Sequence, residues 1–461
     1  MHSETSLISR NVPFVSTIFR TIQTPIPVPA TIPLLKEMAS CEPRSMGGQP
    51  PIIWDHAKDF SVWDAYGNQW IDFSSGVLVT NAGHSAEEII RSLRDQIDHG
   101  LLHSYCFPNQ ARIDLVRKLN SLVPPPLEKV FLLTTGAEST ECALKLARTC
   151  GRKVGGDRKI VMVSFRNAFH GRTLGAQLMG GTPALKEWIG EQIPGFVQVP
   201  FPDGWRNTDT DFSAFERSLA EQGISPETVC GVITETFQGG MGCFAPKAYM
   251  QALRKWCDTH NALLILDEVQ AGFGRTGTFW GFEHYEIVPD IICLGKGISS
   301  SLPLSAVIGR KDVMDLYGPG EMTSTHSGNP LCCRAALASI ERIEKENLVR
   351  QSALLGAILH ETLNAIQKRH TKVVGAVMGK GLVAGVMFTR AGTKDPNPGT
   401  ASQVVQRCVE KGVMLFAPVG PGGGTIKINP PLCISEEALR EGLEVFEGAL
   451  TEIEAENPIE E

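Results

Sequence analysis

Six short apolar runs punctuate the chain between residues 130 and 310: VFLLTT (130–135), IVMVSF (160–165), VCGVITETF (229–237), ALLILDEV (262–269), DIICLG (290–295) and SAVIGR (305–310). None follows a strict apolar–polar alternation. A strand with one face in water alternates, whereas a strand apolar throughout needs cover on both faces. Helix-like stretches separate several runs, ECALKLARTC (141–150) and YMQALRKWCDTH (249–260) among them. Helices on both faces of a mostly parallel sheet satisfy that need. The reading is therefore α/β, with a large domain over 75–335.

The two ends of the chain read differently. Residues 52–73 alternate around Tyr66-Gly67-Asn68 and predict a small antiparallel meander. Residues 331–368 are helical in pattern, and the tail mixes short strands (VVGAVMG, LVAGVMF, TIKINP) with helices over 401–411 and 435–453. We expect the N-terminal segment 1–74 and the C-terminal segment 336–461 to build a smaller α+β domain together.

Charge and composition narrow the function. Lys and Arg total 43 against 50 Asp and Glu, a net charge of −7, which suits neither a nucleic-acid backbone nor an anionic membrane. No run of 18 apolar residues is present, so no membrane span is expected. The 12 Cys include no CxxC and read as scattered small hydrophobes in a reducing compartment, not as a metal site or disulfide frame. The cytoplasm is the expected location. The first 22 residues, Ser/Thr-rich with Arg10, Arg20 and a single acid at Glu4, also fit a mitochondrial presequence, but an ordered or frayed leader is the simpler reading.

In an open α/β sheet, ligands lie beyond the carboxyl ends of the strands. VFLLTT runs into Gly136-Ala137-Glu138-Ser139, a small-residue turn opening a helix, whose N–H groups suit a phosphate. ALLILDEV ends in Asp267 and Glu268, with Gln270 beyond. DIICLG is followed by Lys296, where burial lowers an ammonium pKa and makes the amine a nucleophile toward carbonyls. Each signal alone has a bland counterpart: a packing turn, a capping carboxylate, a snorkelling lysine. Two motif matches fail on context. Gly272-Phe-Gly274-Arg-Thr-Gly277 fits GxGxxG but neither leaves a strand directly nor opens a helix, and Gly295-Lys296 lacks the rest of a Walker A sequence.

Together the three strand ends match the handles of pyridoxal 5'-phosphate. The turn takes the phosphate, the carboxylate keeps the pyridine nitrogen protonated, and a lysine 29 residues after the acid forms a Schiff base with the aldehyde.

Here the chain resembles the class III pyridoxal-phosphate aminotransferases, the group of 4-aminobutyrate, ornithine and acetylornithine aminotransferases. The resemblance runs from about residue 52 to about residue 450 and is most specific in LLILDEVQAGFGRTG…PDIICLGKGISSSLPLSAVIGR (263–310). It implies fold type I: a large domain with a mostly parallel, seven-stranded-type sheet, plus the small α+β domain. It also implies a homodimer with active sites at the interface. Lys296 then matches the Schiff-base lysine, Asp267 the partner of the ring nitrogen and Gln270 a side chain near the ring hydroxyl. Gly136 and Ala137 match the phosphate turn. In Phe169-His170-Gly171-Arg172 the aromatic matches the residue stacked on the ring and Arg172 the receiver of a substrate carboxylate. Glu235 matches a glutamate near the cofactor, and Thr325 a threonine reaching the phosphate from the other subunit.

Three departures bear on the substrate. Gly240 stands where the 4-aminobutyrate and ornithine enzymes carry a second glutamate. Lys427 stands where they carry its arginine partner, so the gate formed by that pair is absent. Lysine keeps the charge but not the bidentate fork, so Lys427 reads as a secondary carboxylate anchor, or else as a solvent-facing lysine. Val77 replaces the tyrosine of the ornithine enzyme, which disfavours ornithine. The function implied is transfer of an amino group from an amine or amino acid to a 2-oxo acid. An amino-acid racemase or epimerase and a decarboxylating aminotransferase share the site, while a non-catalytic scaffold and a nicotinamide oxidoreductase are the readings from other classes.

Overall fold

The structure is a computed structural model that describes residues 7–191 and 193–456. The chain divides into two compact units, Glu87–Ser352 and Met1–Ala86 with Ala353–Glu461. These boundaries stand later than 74/75 and 335/336. The helix Pro330–Lys345 packs on helices Glu87–His99 and Gln110–Ser121, which keeps it with the larger unit.

The larger unit is built on a seven-stranded sheet: β1 (Leu127–Leu133), β2 (Val161–Phe165), β3 (Phe196–Val199), β4 (Val229–Glu235), β5 (Leu263–Asp267), β6 (Ile291–Leu294) and β7 (Ser305–Arg310), in spatial order β1-β7-β6-β5-β4-β2-β3. The five strands from β2 to β6 run parallel, while β7 runs antiparallel between β6 and β1. All five residues of β5 and all seven of β4 are buried, as their unbroken apolar pattern demands. Helices α1 (Gly136–Gly155) and α2 (Lys247–Thr259) pack on the sheet. Ala143, Leu146 and Ala147 of α1 meet Met162, Ile233, Ile265 and Ile291 in one apolar cluster. Register then fixes the level of the strand ends, because Asp267 stands opposite both Glu235 and Cys293.

In the smaller unit, strands His56–Lys58, Ser61–Trp63 and Gln69–Asp72 form the antiparallel meander. Val413–Met414 adds to it in parallel. A second sheet comprises Val374–Lys380, Val383–Phe388 and Thr425–Ile428. The predicted leader, 1–22, falls partly outside the described residues, at 1–6. Further on it is ordered: Val15–Ser16 pairs with Thr21–Ile22, and Arg20 bonds Glu441 at 2.5 Å.

One turn of this unit is unusual. Ser75, Gly76, Val77 and Leu78 all have left-handed backbone, with φ of 48°, 56°, 66° and 61°. A left-handed L-residue costs roughly 1–2 kcal/mol, and a β-branched residue such as Val77 is an outlier there. Among the described residues no helix is long and apolar enough to cross a membrane.

At the amino ends of β5 and β6 lies a buried ion pair. Asp290 accepts from Arg254 and from Arg310, both at 2.8 Å, and from the Leu264 N–H at 2.8 Å. Its side chain is 6% exposed, so one carboxylate ties α2, β5 and β7 together. Removing the shared partner of a buried pair costs several kcal/mol. Asp290→Ala is therefore expected to destabilise the protein by about 3 kcal/mol. Arg310→Ala, which leaves Asp290 paired with Arg254, is expected to cost about 1 kcal/mol. Denaturant unfolding of both variants checks the order, and a larger loss in Arg310→Ala would contradict it.

Candidate active site

Three adjacent strand ends make the floor of the site. β4 ends in Glu235 and β5 in Asp267, side by side in register, and β6 leads through Gly295 to Lys296. Lys296 itself is left-handed, with φ 44°. Strain of this kind concentrates where a side chain must be aimed.

Asp267 is buried, and its Oδ2 lies 2.8 Å from His170 Nδ1. Its Oδ1 accepts from the Val269 N–H at 3.0 Å. The Nε2 of His170 is buried and takes no partner among the described residues, so the imidazole is committed to Asp267. Glu235 accepts from the Phe169 N–H and the Gly239 N–H, both at 2.9 Å. Burial pushes its carboxyl up to about 7, against the pull of His170 and with a further push from Asp267. Burial likewise holds the Lys296 ammonium below its usual value, with the Asp267 and Glu235 charges opposing. The two carboxylates thus act electrostatically on the lysine, which is less protonated than a surface one.

The Gly136–Ala137 turn, expected to take the phosphate, forms at the start of α1. That helix begins at Gly136, five residues before the 141–150 stretch that the sequence pattern marks. Thr135 caps it, accepting from the Glu138 N–H through Oγ1 and from the Ser139 N–H through its carbonyl. The first N–H groups of a helix have no acceptor within it, so those of Gly136 and Ala137 remain to meet an anion. Packing brings the other pieces to this turn. Gly171 has φ 128°, and a Cβ there would stand 2.7 Å from Ala137 Cβ, so only glycine lets the 169–172 loop lie on the turn. Thr140 of α1 donates to the His170 carbonyl at 2.7 Å. A Cβ at Gly136 or Gly295 would press on Val269, at 3.0 and 3.2 Å, so the turn and the approach to Lys296 converge on that side chain.

The remaining candidates are placed as follows. Phe169 is exposed, and the Arg172 guanidinium lies 5.6 Å from its ring centroid. Gln270 lies against Gly239. Thr325 is exposed in a segment pinned on its far side by Ser327, which donates to the Leu132 carbonyl, and by Asn329, which caps Pro330–Lys345. Lys427 and Val77 belong to the smaller unit. Lys427 is buried, 3% exposed, in the strand Thr425–Ile428, which removes the solvent-facing reading, while Val77 is 43% exposed.

Three contributors escape sequence reasoning. Val269 is an apolar residue beyond a strand and looks like filler. His170 is visible as part of a motif, but not as the partner of Asp267. Glu141 bonds Thr173 Oγ1 at 2.6 Å and the N–H groups of Gly175 and Ala176 at 2.8 and 3.1 Å, anchoring the loop after Arg172. Only the i, i+4 return of a carboxylate to the helix face of Ala137 could have hinted at it.

These groups fit pyridoxal phosphate chemically: orphan helix N–H groups for an anion, a buried carboxylate for a basic ring nitrogen, and a buried amine whose pKa desolvation lowers for an aldehyde.

Comparison with known proteins bears on the same residues. The sequence pattern of the family described as aminotransferase class-III matches residues 44–450. The 5-aminovalerate aminotransferase DavT of Pseudomonas putida is 34% identical, over 91% of this chain and 98% of that protein. The isoleucine 2-epimerase of Lentilactobacillus buchneri is 33% identical, over 87% of this chain and 90% of that one. The crystal structure of a Bacillus anthracis aminotransferase superposes with a TM-score of 0.84 at 30% identity, covering 92% of this chain and 99% of that one.

The state of Glu235 makes a pH prediction. Its folded value is about 7, against an ordinary 4.5. Between these, the folded chain holds a proton that the unfolded chain has released. This carboxyl therefore takes stability away as pH rises through that window. Glu235→Gln has no proton to release. In cofactor-free protein, its melting temperature relative to wild type is expected to climb from about pH 4.5 to about pH 7 and then level off. A difference that stays flat across that range would contradict the assignment.

Proposed function

Since the chain belongs to the class III aminotransferases, which depend on pyridoxal phosphate, we propose a mechanism in which the strand ends of β4, β5 and β6 do the chemistry. The protein is a transaminase: it moves an amino group from an amino donor to a 2-oxo acid. The observation that carries the residue roles is that Asp267 and Glu235 end neighbouring strands in register, and that both carboxylates act on the buried Lys296 just beyond the end of the next strand.

When bound, the cofactor supplies an aldehyde and a protonated pyridine ring able to accept electrons. Asp267, oriented by His170, holds the ring nitrogen's proton. The backbone N–H groups of Gly136 and Ala137, with Thr325 of a second copy, hold the phosphate. Phe169 covers the ring, Gln270 meets its hydroxyl, and Glu235 fixes the Phe169 backbone. Lys296 would hold the aldehyde and would carry the α-proton, a task that its lowered pKa suits. Arg172 takes the substrate carboxylate as a bidentate anchor and Lys427 serves as the second.

A homodimer belongs to the same reading. It is supported by the exposed Thr325 and by exposed Leu101, Leu102, Tyr105 and Phe107, joined to that segment by the Tyr105–Thr323 and Asn329–Leu102 hydrogen bonds. A cytoplasmic location is supported by the 12 cysteines, all free thiols.

A panel of amines and amino acids with pyruvate and 2-oxoglutarate tests the reading. Oxo product is expected in step with amino-acid product, whereas α-proton exchange with no oxo product would overturn transamination in favour of epimerisation. A charge-assisted hydrogen bond is worth about 1.5–3 kcal/mol, so Arg172→Ala is expected to raise KM for carboxylate substrates at least about tenfold, and Lys427→Ala by less. Unchanged KM in Arg172→Ala would remove it from the site.

A further inference from the structure

The left-handed run at Ser75–Leu78 buries Ser75 and Leu78 but not its β-branched member. Val77, its β-branched member, stays 43% exposed, so burial of its side chain does not compensate the backbone. The compensation comes from groups outside the turn. Asn429, fully buried, donates from Nδ2 to the Ser74 carbonyl at 2.6 Å. That same carbonyl accepts the Val77 and Leu78 N–H groups at 2.9 and 3.1 Å. The Asn429 carbonyl accepts from Ser75 Oγ at 2.6 Å, and its N–H donates to the Phe73 carbonyl at 2.9 Å. From the other side, Asp72 accepts from the Ser74 N–H and Oγ at 2.7 and 2.6 Å, and its second oxygen lies 2.7 Å from His84 Nε2. Ser74 Oγ in turn accepts from the Gly76 N–H at 3.1 Å.

A conformation so costly and so over-determined marks a shape that is kept for use. We propose that Asn429 is a positioning residue: by clamping the left-handed turn it fixes how Val77 is presented, and so sets the selectivity for the amino donor. This rests on the reading of Val77 as a substrate residue. Asn429 follows Lys427 by two positions in the run TIKIN, so the clamp joins the turn to the segment carrying the second carboxylate anchor.

The test uses holoenzyme and two donors of different shape, 5-aminovalerate and L-alanine, with 2-oxoglutarate. In Asn429→Ala the ratio of kcat/KM between the donors is expected to shift at least about fivefold through donor KM, while the cofactor dissociation constant stays within about twofold. Ser75→Ala, a milder cut at the same clamp, is expected to move the ratio in the same direction. Adding Val77→Gly to Asn429→Ala is expected to recover melting temperature, because glycine accepts left-handed φ, without restoring the donor ratio. A lowered melting temperature with an unshifted ratio in both clamp variants would overturn the proposal, as would a double variant that recovers no stability. Val77→Ala separates the two ideas. An unshifted ratio there defeats the reading of Val77 itself, whereas a shifted ratio there with none in Asn429→Ala defeats the clamp alone.

Discussion

Asp267 ends a strand whose other four residues are apolar and buried. A carboxylate at such a place pays for desolvation unless partners are fixed around it. The partners here are His170 on one oxygen and the Val269 N–H on the other. Much of the site follows from meeting that demand. His170 must be held, so its carbonyl is tied to α1 and Gly171 lies on Ala137. The Gly136–Ala137 turn and the Phe169–Arg172 loop are thereby brought together. The neighbouring Glu235, at the same level, accepts the backbone N–H groups of Phe169 and Gly239. A single pairing requirement at one strand end thus ties the 169–172 loop to the Gly136–Ala137 turn beside Asp267 and Glu235.

Much of this was legible because the apolar runs stop where chemistry begins. The breaks at Asp267 and Lys296 are abrupt, and a buried parallel strand leaves few other places for charge. Strand direction was not legible: SAVIGR looks like its neighbours, yet β7 runs antiparallel. FVQV, the strand β3, is only four residues long and half-buried, too short for its pattern to stand out. The helical stretch 331–368 hides a break at Asn347, whose φ of 52° separates two helices. The His170–Asp267 pair joins residues 97 apart, and no periodicity records such a contact.

Specificity was the least legible part, for a physical reason. Lys427 replaces an arginine and Val77 a tyrosine by resemblance, but sequence alone does not disclose burial or backbone hand. Lys427 is buried, and a desolvated lysine is chemically unlike a surface one. Val77 occupies a region that β-branched residues avoid, so no propensity rule would have placed it there. Asp267, Glu235 and Lys296 belong to one compact unit and these two divergent positions to the other. That division suits a family in which one reaction serves many donors.

The proposed chemistry turns on Lys296 being the residue that meets the cofactor aldehyde. The direct measurement is borohydride reduction of the holoenzyme, followed by proteolysis and mass mapping of the pyridoxyl label. A single stoichiometric label on Lys296 is expected, together with loss of activity. A label on any other lysine, or retained turnover after complete labelling, would contradict it.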